Sequence, residues 1–148
     1  MTTVRKLLET KASTTNFSIA STDTVLQAVK MMTEHHIGAL LVTEDDRIVG
    51  IYTERDYLYK GENEGRVAKD TKIKDVMVSR MITVTKDTTA DQCVELMKQY
   101  NIRHLPVVEH DQLVGLVSMR DVIAAAFENK ESEIRGLENY IMGTGFQS

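Results

Sequence analysis

The sequence predicts an α/β fold, of the α+β type, in which one β-α-β-β-α unit occurs twice. Residues 24–57 align without a gap on residues 89–122 at a constant offset of 65, and 13 of these 34 positions are identical. Within each copy the apolar residues recur first at helical spacing and then at strand spacing. A repeat that keeps its register over this length indicates two copies of one structural unit.

The first half of each copy is predicted to be a strand followed by a helix. A short extended piece, at residues 17–19 and again at 82–84, precedes a stretch of good helix-capping residues that ends at Thr24 or Thr89. The helix that follows has an apolar face at three- and four-residue spacing. This face consists of Val25, Val29 and Met32 in the first copy and of Ala90, Val94 and Met97 in the second.

The second half of each copy is predicted to be a hairpin followed by a helix. Two apolar runs flank a polar turn, which is the pattern of a β-hairpin. The runs are residues 39–42 and 48–52 in the first copy and residues 105–108 and 113–117 in the second. The second helix is expected to begin near Thr53 and near Ser118.

The repeats also set the expected domain boundaries. Residues 4–8 correspond to residues 73–77 at an offset of 69 instead of 65, so the first repeat carries four extra residues. They fall in the polar stretch 11–15, where a surface loop can lengthen at little entropic cost. The predicted divisions are repeat one at 4–60, an exposed linker at 61–72, repeat two at 73–126 and a C-terminal helical tail at 127–148.

The tail is predicted to be an amphipathic helix. Ile134, Leu137 and Ile141 fall on one helical face, and Gly143 and Gly145 are the expected stops. We expect this face to pack on the rest of the module or on a second subunit.

Charge and hydropathy exclude several kinds of partner. The chain has 18 basic and 22 acidic residues, a formal charge of −4, so it has no general attraction for nucleic acid or for an anionic membrane. No apolar run approaches the ~20 residues of a membrane span. We therefore expect a cytoplasmic protein that binds neither nucleic acid nor membrane. The single cysteine, Cys93, has apolar neighbours at helical spacing and is expected to be a core thiol.

A hydroxyl residue precedes an aspartate by three positions in both copies. The pairs are Thr53 with Asp56 and Ser118 with Asp121. This spacing is that of a helix capping box, which needs no ligand. Two instances in equivalent settings also fit a repeated binding site, and both interpretations stay open at this point.

These residues resemble the CBS domain, named for cystathionine β-synthase and found as tandem pairs in many otherwise unrelated proteins. The resemblance covers nearly the whole chain. It is most specific at residues 102–108 (IRHLPVV) and 115–121 (GLVSMRD), to which the first repeat contributes 37–42 (IGALLV) and 50–56 (GIYTERD). It implies one pseudo-twofold module with two clefts between the repeats, which can take AMP, ATP, NAD or S-adenosylmethionine. It also implies association of two modules as a flat homodimer.

Three positions depart from this symmetry or from the family pattern. Leu41 stands opposite Pro106 in the repeat alignment, and Lys86 stands where many family members have proline. Glu54 is equivalent to Met119. Since an acid near a phosphate weakens triphosphate binding, the two clefts are expected to prefer different ligands.

The resemblance also implies roles for the hydroxyl and carboxylate pairs. Asp56 and Asp121 would accept hydrogen bonds from both hydroxyls of a ribose, and Thr53 and Ser118 would add a further contact to the sugar.

Phosphate needs positive charge, for which Arg55 and Arg120 are the candidates at the starts of the second helices. They are equally compatible with surface arginines that pair with the neighbouring aspartates. Gly50 and Gly115 would let the backbone approach a ligand, or would be ordinary strand glycines.

Adenine would stack among residues of the first two strands of each repeat. The candidates are Ile82, Thr83, Ile102, His104 and Pro106 in the second half and Phe17, Ser18, Ile37 and Ala39 in the first.

The sequence offers little for catalysis. It lacks the motifs GxxxxGK[ST], GxGxxG and GxSxG, and its four histidines do not form paired metal-ligand spacings. CBS pairs occur inserted in IMP dehydrogenase, but that activity needs a barrel of ~250 residues, which this chain cannot contain. We therefore expect no catalytic residue, no metal and no catalytic cofactor.

Three functional hypotheses follow. The first is a regulatory module that binds AMP, ADP, ATP or NAD(H), with S-adenosylmethionine as a further option, and signals energy or redox state to an unidentified partner protein. The second is a homodimerisation or interaction domain that ignores nucleotides. The third, which the sequence favours least, is a small enzyme acting on the bound nucleotide.

Overall fold

Each repeat folds around its own small sheet. The computed structural model describes residues 2–10 and 17–142, without the side chains of 129–133 and 137–142. The first repeat has a three-stranded sheet in the order β1-β2-β3, and the second has a two-stranded sheet, β4-β5. In chain order the elements are α1 (Val4–Thr10), β1 (Ser18–Ala20), α2 (Val25–His35), β2 (Ala39–Glu44), β3 (Arg47–Thr53), α3 (Glu54–Asp56), α4 (Ala90–Tyr100), β4 (His104–Glu109), β5 (Gln112–Ser118) and α5 (Met119–Met142). This order confirms the predicted α/β class and the twofold repetition of one unit.

The two hairpins have the same geometry. Each turn places two consecutive residues at positive φ, with Asp45 at 48° and Asp46 at 62° in the first and His110 at 52° and Asp111 at 61° in the second. Two such residues make a turn whose twist matches that of the flanking strands, and aspartate is one of the residues that tolerates this conformation. The register also shifts at equivalent points, between Val42/Thr43 and between Val107/Val108.

The helices α2 and α4 begin as the sequence predicts. Thr24 and Thr89 are their N-caps, and each forms a full capping box with the glutamine three residues later. Both helices end at a residue in the left-handed region, His36 and Asn101. Their predicted apolar faces are buried or packed against a core, with Met32 7% and Met97 2% exposed.

The first strand differs between the repeats. In repeat one the Leu41 N–H donates to the Phe17 carbonyl at 3.1 Å, next to three paired residues of β1. The equivalent residue of repeat two is Pro106, which has no N–H to donate to the Ile82 carbonyl. The predicted strand at 82–84 is therefore reduced to one parallel bridge, between Val84 and Val107.

The segments that lead into the repeats pack crosswise. Although α1 begins repeat one, its Val4 and Leu7 lie in the core of repeat two, and the Val4 N–H donates to the Thr88 carbonyl at 2.8 Å. Conversely, Ile73, which begins repeat two, lies in the core of repeat one, and its N–H donates to the Asp23 carbonyl at 2.9 Å. Each core is thus completed by a segment that is remote from it in sequence.

The linker is only partly the exposed connection that the sequence predicts. Residues 62–67 are exposed, but Gly61 is buried and Thr71 is 8% exposed. The Thr71 carbonyl accepts a hydrogen bond from the Val25 N–H at 2.9 Å, so the end of the linker is attached to the start of α2.

The last helix, α5, runs for 24 residues through the boundary that was expected between repeat two and the tail. Of the predicted apolar tail face, Ile134 is 54% exposed, while the side chains of Leu137 and Ile141 lie outside the described part. The stretch 11–15 and the expected stops Gly143 and Gly145 are outside it as well. Among the described residues, no helix is both long enough and apolar enough to cross a membrane, and the cytoplasmic location stays a prediction.

The two cores differ in polarity. In repeat two, Cys93 is fully buried, which confirms the predicted core thiol, and burial raises its pKa. In repeat one, Tyr52 is fully buried, its hydroxyl has no hydrogen-bond partner among the described residues, and burial next to Asp56 raises its pKa. The equivalent residue in repeat two is Val117. Repeat one therefore carries a desolvated hydroxyl where repeat two is apolar.

The two strand glycines make room for the protein itself. A Cβ on Gly50 would lie 2.7 Å from the Val78 carbonyl oxygen, and a Cβ on Gly115 would lie 2.8 Å from a terminal methyl of Leu8. Neither glycine borders a cleft. The structure therefore supports the interpretation that Gly50 and Gly115 are ordinary strand glycines, and not that they let the backbone approach a ligand.

These contacts predict different effects for two matched substitutions. Gly50→Ala is expected to lower the free energy of unfolding by about 1–3 kcal/mol, because the new methyl meets backbone that is paired with Ile51. Gly115→Ala is expected to change it by less than about 1 kcal/mol, because the end of the Leu8 side chain can move. Urea denaturation of both variants tests the difference, and equal losses would contradict it.

Candidate functional site

Two clefts lie between the repeats. Cleft A, of about 760 Å³, lies between Phe17, Ile37 and Ala39 of repeat one and Ser118 and Asp121 of repeat two. Cleft B, of about 380 Å³, lies between Ile82, Ile102 and Pro106 of repeat two and Thr53 and Asp56 of repeat one. Each cleft thus combines the hydroxyl and carboxylate pair of one repeat with the apolar wall of the other.

Both pairs form helix capping boxes. The Asp56 carboxylate accepts from the Thr53 N–H at 3.0 Å, and the Asp121 carboxylate accepts from the Ser118 N–H at 2.8 Å. The hydroxyls accept in return from the aspartate N–H groups, at 3.3 Å for Thr53 and 3.2 Å for Ser118. The structural interpretation of the pattern is therefore correct. It does not exclude a ligand, because a carboxylate has about four acceptor positions and both pairs border a cleft.

The two carboxylates have different surroundings. Asp56 is 7% exposed, and its second oxygen pairs with the Lys60 ammonium at 3.3 Å. Lys60 also donates to the Val76 carbonyl at 3.1 Å, which attaches it to the segment leading into repeat two. The residue equivalent to Lys60 is Ala125. A ribose in cleft B would therefore meet a carboxylate that already binds a lysine, whereas cleft A has no lysine at that position.

The arginine that was predicted for cleft B is already engaged. The Arg55 guanidinium donates to the Asn101 carbonyl at 2.5 Å and lies 5.1 Å from the centre of the Tyr59 ring. Asn101 ends α4, so Arg55 connects the two repeats at the edge of the cleft. The ion-pair partner of Asp56 is Lys60, and Arg120 borders cleft A.

Most of the predicted binding residues border one of the clefts. Those in cleft A are Phe17, Ile37, Ala39, His104, Ser118, Arg120 and Asp121. Those in cleft B are Thr53, Arg55, Asp56, Ile82, Ile102, His104 and Pro106. Their contacts with a ligand stay predictions.

Ser18 and Thr83 line neither cleft, unlike the sequence-based assignment. Both are exposed and precede a buried residue, Ile19 or Val84. Because side chains alternate along an extended chain, Ser18 and Thr83 point away from the side on which their neighbours pack.

Sequence reasoning missed the wall between the clefts. Gly38, Glu54, Arg103 and His104 border both of them, whereas the sequence indicated only His104 as a binding residue and Glu54 as an acid near one cleft. Gly38 and Arg103 are equivalent residues at the starts of β2 and β4. Strand alternation could not have placed them, because each lies one residue before its strand begins.

Glu54 does not distinguish the clefts in the way that the sequence suggests. Its equivalence to Met119 predicts an acid in only one of them, but Glu54 borders both. Its carboxylate lies next to Gly38, which also borders both clefts. The clefts differ instead through Lys60 and through their outer arginines, Arg80 in cleft B and Arg120 in cleft A.

No metal centre is visible in the described part of the chain. Within residues 2–10 and 17–142, no three His, Cys, Asp or Glu side chains come together in a way that could hold a metal ion. The absence of a catalytic metal from the protein stays a prediction.

A family model for the CBS domain matches residues 4–62 and 73–128, which is most of the chain. The chain belongs to the CBS domain family. The two matches correspond to the two repeats, so the protein contains a tandem CBS pair. They also bracket the cleft residues of both repeats, so the clefts are features of this pair.

Relatives of the CBS pair include a protein that is named for the domain. CBS domain-containing protein CBSX3, mitochondrial, from Arabidopsis thaliana is 38% identical over 150 aligned positions, which cover 96% of this chain and 73% of the relative. Inosine-5'-monophosphate dehydrogenase from Korarchaeum cryptofilum is 37% identical over 106 positions, but these cover only 21% of the dehydrogenase. The likeness to that enzyme therefore concerns a fifth of its length.

Solved structures agree with this fold. A protein with CBS domains from Burkholderia ambifaria superimposes with a TM-score of 0.82 at 37% identity, covering 84% of this chain and 93% of that one. A CBS domain pair solved in complex with 5'-methylthioadenosine and S-adenosyl-L-methionine superimposes with a TM-score of 0.72 at 27% identity, covering 85% of this chain and 99% of that one.

The capping boxes predict a ligand-independent effect on stability. Thr53→Ala and Ser118→Ala are each expected to lower the free energy of unfolding by about 1 kcal/mol, because each leaves a helix N–H without its side-chain acceptor. Ser79→Ala, at an exposed position outside both clefts, is the control and should change it by less than about 0.5 kcal/mol. Urea denaturation without nucleotide measures all three. A loss that appears only when nucleotide is present would show that the hydroxyls do not cap the helices.

Proposed function

We propose that this CBS pair is a regulatory module that binds adenine nucleotides in its clefts and signals energy or redox state to a partner protein. The ligand class is AMP, ADP, ATP or NAD(H), with S-adenosylmethionine as a further member. The observation that carries the proposal is the crosswise construction of both clefts, in which a hydroxyl and carboxylate pair faces an aliphatic wall across the repeat boundary.

The chemistry of cleft B fits a nucleoside. Its wall includes Ile82, Ile102 and Pro106, which offer a flat aliphatic surface for a purine base. In this proposal Asp56, at the border of cleft B, accepts hydrogen bonds from ribose hydroxyls, which ionised carboxylates bind well. The bound 5'-methylthioadenosine and S-adenosyl-L-methionine of the related CBS pair are both adenosine compounds, which supports the same class here.

The position of the clefts supports a signalling role. Since each cleft is formed by both repeats, a bound ligand contacts both and stabilises the relative orientation that fits it best. The Arg55 contact with Asn101 crosses the same boundary next to cleft B. A partner protein that binds one orientation better would then respond to nucleotide concentration.

A thermal-shift titration tests this function. AMP, ADP, ATP, NAD, NADH and S-adenosylmethionine are added to the wild type and to Asp56→Asn with Asp121→Asn. Asparagine keeps an oxygen for the capping box but removes the charge that a ribose would bind. We expect at least one compound to raise the melting temperature, by about 2–4 °C for each kcal/mol of binding free energy, and the double variant to lose that rise.

The matched control is Asp70→Asn with Asp111→Asn, two exposed carboxylates outside both clefts. This control should keep the full response. Loss of the response in both double variants would indicate a general charge effect, and no rise with any compound in the wild type would favour an interaction domain that ignores nucleotides.

We further propose that the protein is a homodimer and that α5 contributes to the interface. Ile123, Phe127 and Ile134 are 48%, 65% and 54% exposed, and their spacing of four and seven residues places them on one face of the helix. Exposed apolar side chains in one stripe are typical of a surface that binds another helix. A ligand-independent interaction domain, the alternative function, would use the same face.

Light scattering coupled to size-exclusion chromatography tests the dimer. Phe127→Glu is expected to convert the dimer to a monomer, because a charge would be buried in the centre of the apolar stripe. Val67→Glu, at a residue that is 53% exposed in the linker, is the control and should remain dimeric. A wild-type monomer, or a dimer that survives Phe127→Glu, would contradict the proposal.

A further inference from the structure

Three arginines that border the clefts have no side-chain partner in the described part of the chain. Arg120 borders cleft A alone, Arg80 borders cleft B alone and Arg103 borders both. All three are exposed. Their side chains have no hydrogen bond or ion pair with the described part of the chain, whereas the Arg55 guanidinium is held by Asn101 and Tyr59. Arg80, Arg103 and Arg120 are therefore available to an anion without breaking an existing contact.

Arg103 is distinguished by its position in the fold. Its carbonyl accepts from the Met119 N–H at 2.8 Å, which fixes its backbone at the junction of β4 and α5. The equivalent junction in repeat one joins Gly38 to Glu54 at 3.1 Å, and glycine supplies no side chain there. Two identical repeats would provide two arginines at this position. Because repeat one has Gly38 there, the two clefts share the single arginine, Arg103.

The central wall also carries one acid. Glu54 borders both clefts, and within the described part of the chain it forms no ion pair with Arg103. When a phosphate in one cleft binds the Arg103 guanidinium, that cation no longer balances the negative charge near the other cleft. A second phosphate is then repelled by the Glu54 carboxylate and by the first phosphate. Binding in one cleft then weakens phosphate binding in the other.

Resting on the nucleotide-binding function proposed above, we propose that Arg103 is the phosphate-binding residue common to both clefts, so that phosphorylated nucleotides bind to them with negative cooperativity. A guanidinium has a fixed fork of donors that can hold one phosphate in a bidentate arrangement. Two phosphates on one side chain share these donors and repel each other. Adenosine has no phosphate and therefore binds without this coupling.

The test is isothermal titration calorimetry of the full chain with AMP, ATP and adenosine. For wild type we expect two binding steps for AMP and for ATP, the second weaker by about fivefold or more after correction for the statistics of two sites. Because the two carboxylates have different surroundings, the ratio between the two adenosine steps is the reference, and the AMP and ATP ratios should exceed it by about fivefold or more. Arg103→Ala should weaken both nucleotide steps, each by about tenfold, and bring their ratio to that of adenosine, while adenosine binding stays unchanged.

Two matched variants, Arg80→Ala and Arg120→Ala, each remove an exposed arginine from a single cleft. Each should weaken nucleotide binding to its own cleft and leave binding to the other cleft unchanged, whereas Arg103→Ala weakens both. Circular dichroism and the melting temperature of the free protein confirm that all three variants are folded, as expected for side chains without partners in the described structure.

The outcomes separate the two proposals. If nucleotides bind but Arg103→Ala affects one step alone, or if the wild-type steps are equal, the shared role of Arg103 is wrong and the nucleotide-binding function stands. If Arg103→Ala weakens adenosine as much as AMP, the residue does not act on the phosphate. If neither adenosine nor any nucleotide binds to the wild type, the nucleotide-binding function itself is wrong.

Discussion

The exchange of leading segments between the repeats is the constraint on which the rest of the structure depends. Val4 and Leu7 of α1 complete the core of repeat two, and Ile73 completes the core of repeat one. Backbone hydrogen bonds fix both attachments, from Val4 to Thr88 and from Ile73 to Asp23. Separating the repeats would expose apolar surface in both cores at once, and burying such surface is the main source of folding stability. The clefts between the repeats are therefore permanent features of the fold.

A near-twofold framework with single-residue differences produces two unlike clefts. Pro106 removes one hydrogen bond from the second sheet, and Lys60 pairs with one of the two cleft carboxylates. Gly38 and Arg103 occupy equivalent positions, but Gly38 has no side chain whereas Arg103 contributes a cation. Duplication supplies the common shape, and these few substitutions decide the charge and the hydrogen-bonding capacity of each cleft.

The capping boxes show that a structural and a functional role can belong to the same atoms. Asp56 and Asp121 hold the first turns of α3 and α5, and this contact also fixes each carboxylate at the edge of a cleft. A side chain that is already held in place loses little conformational entropy when a ligand binds. The residues that stabilise the helices are for that reason well suited to a binding site.

The sequence by itself determined the repeat, the order of the elements, the N-caps at Thr24 and Thr89 and about half of the residues that border the clefts. These depend on local rules, since periodicity and capping act over a few residues. Only the tertiary structure showed that α1 joins the core of repeat two, that Gly50 makes room for Val78 and that Arg55 holds Asn101. Periodicity reveals that a face is buried but not what covers it, because the partner lies far away in the chain. The sequence did not show that Arg103 borders both clefts, because the clefts form only where the two repeats meet.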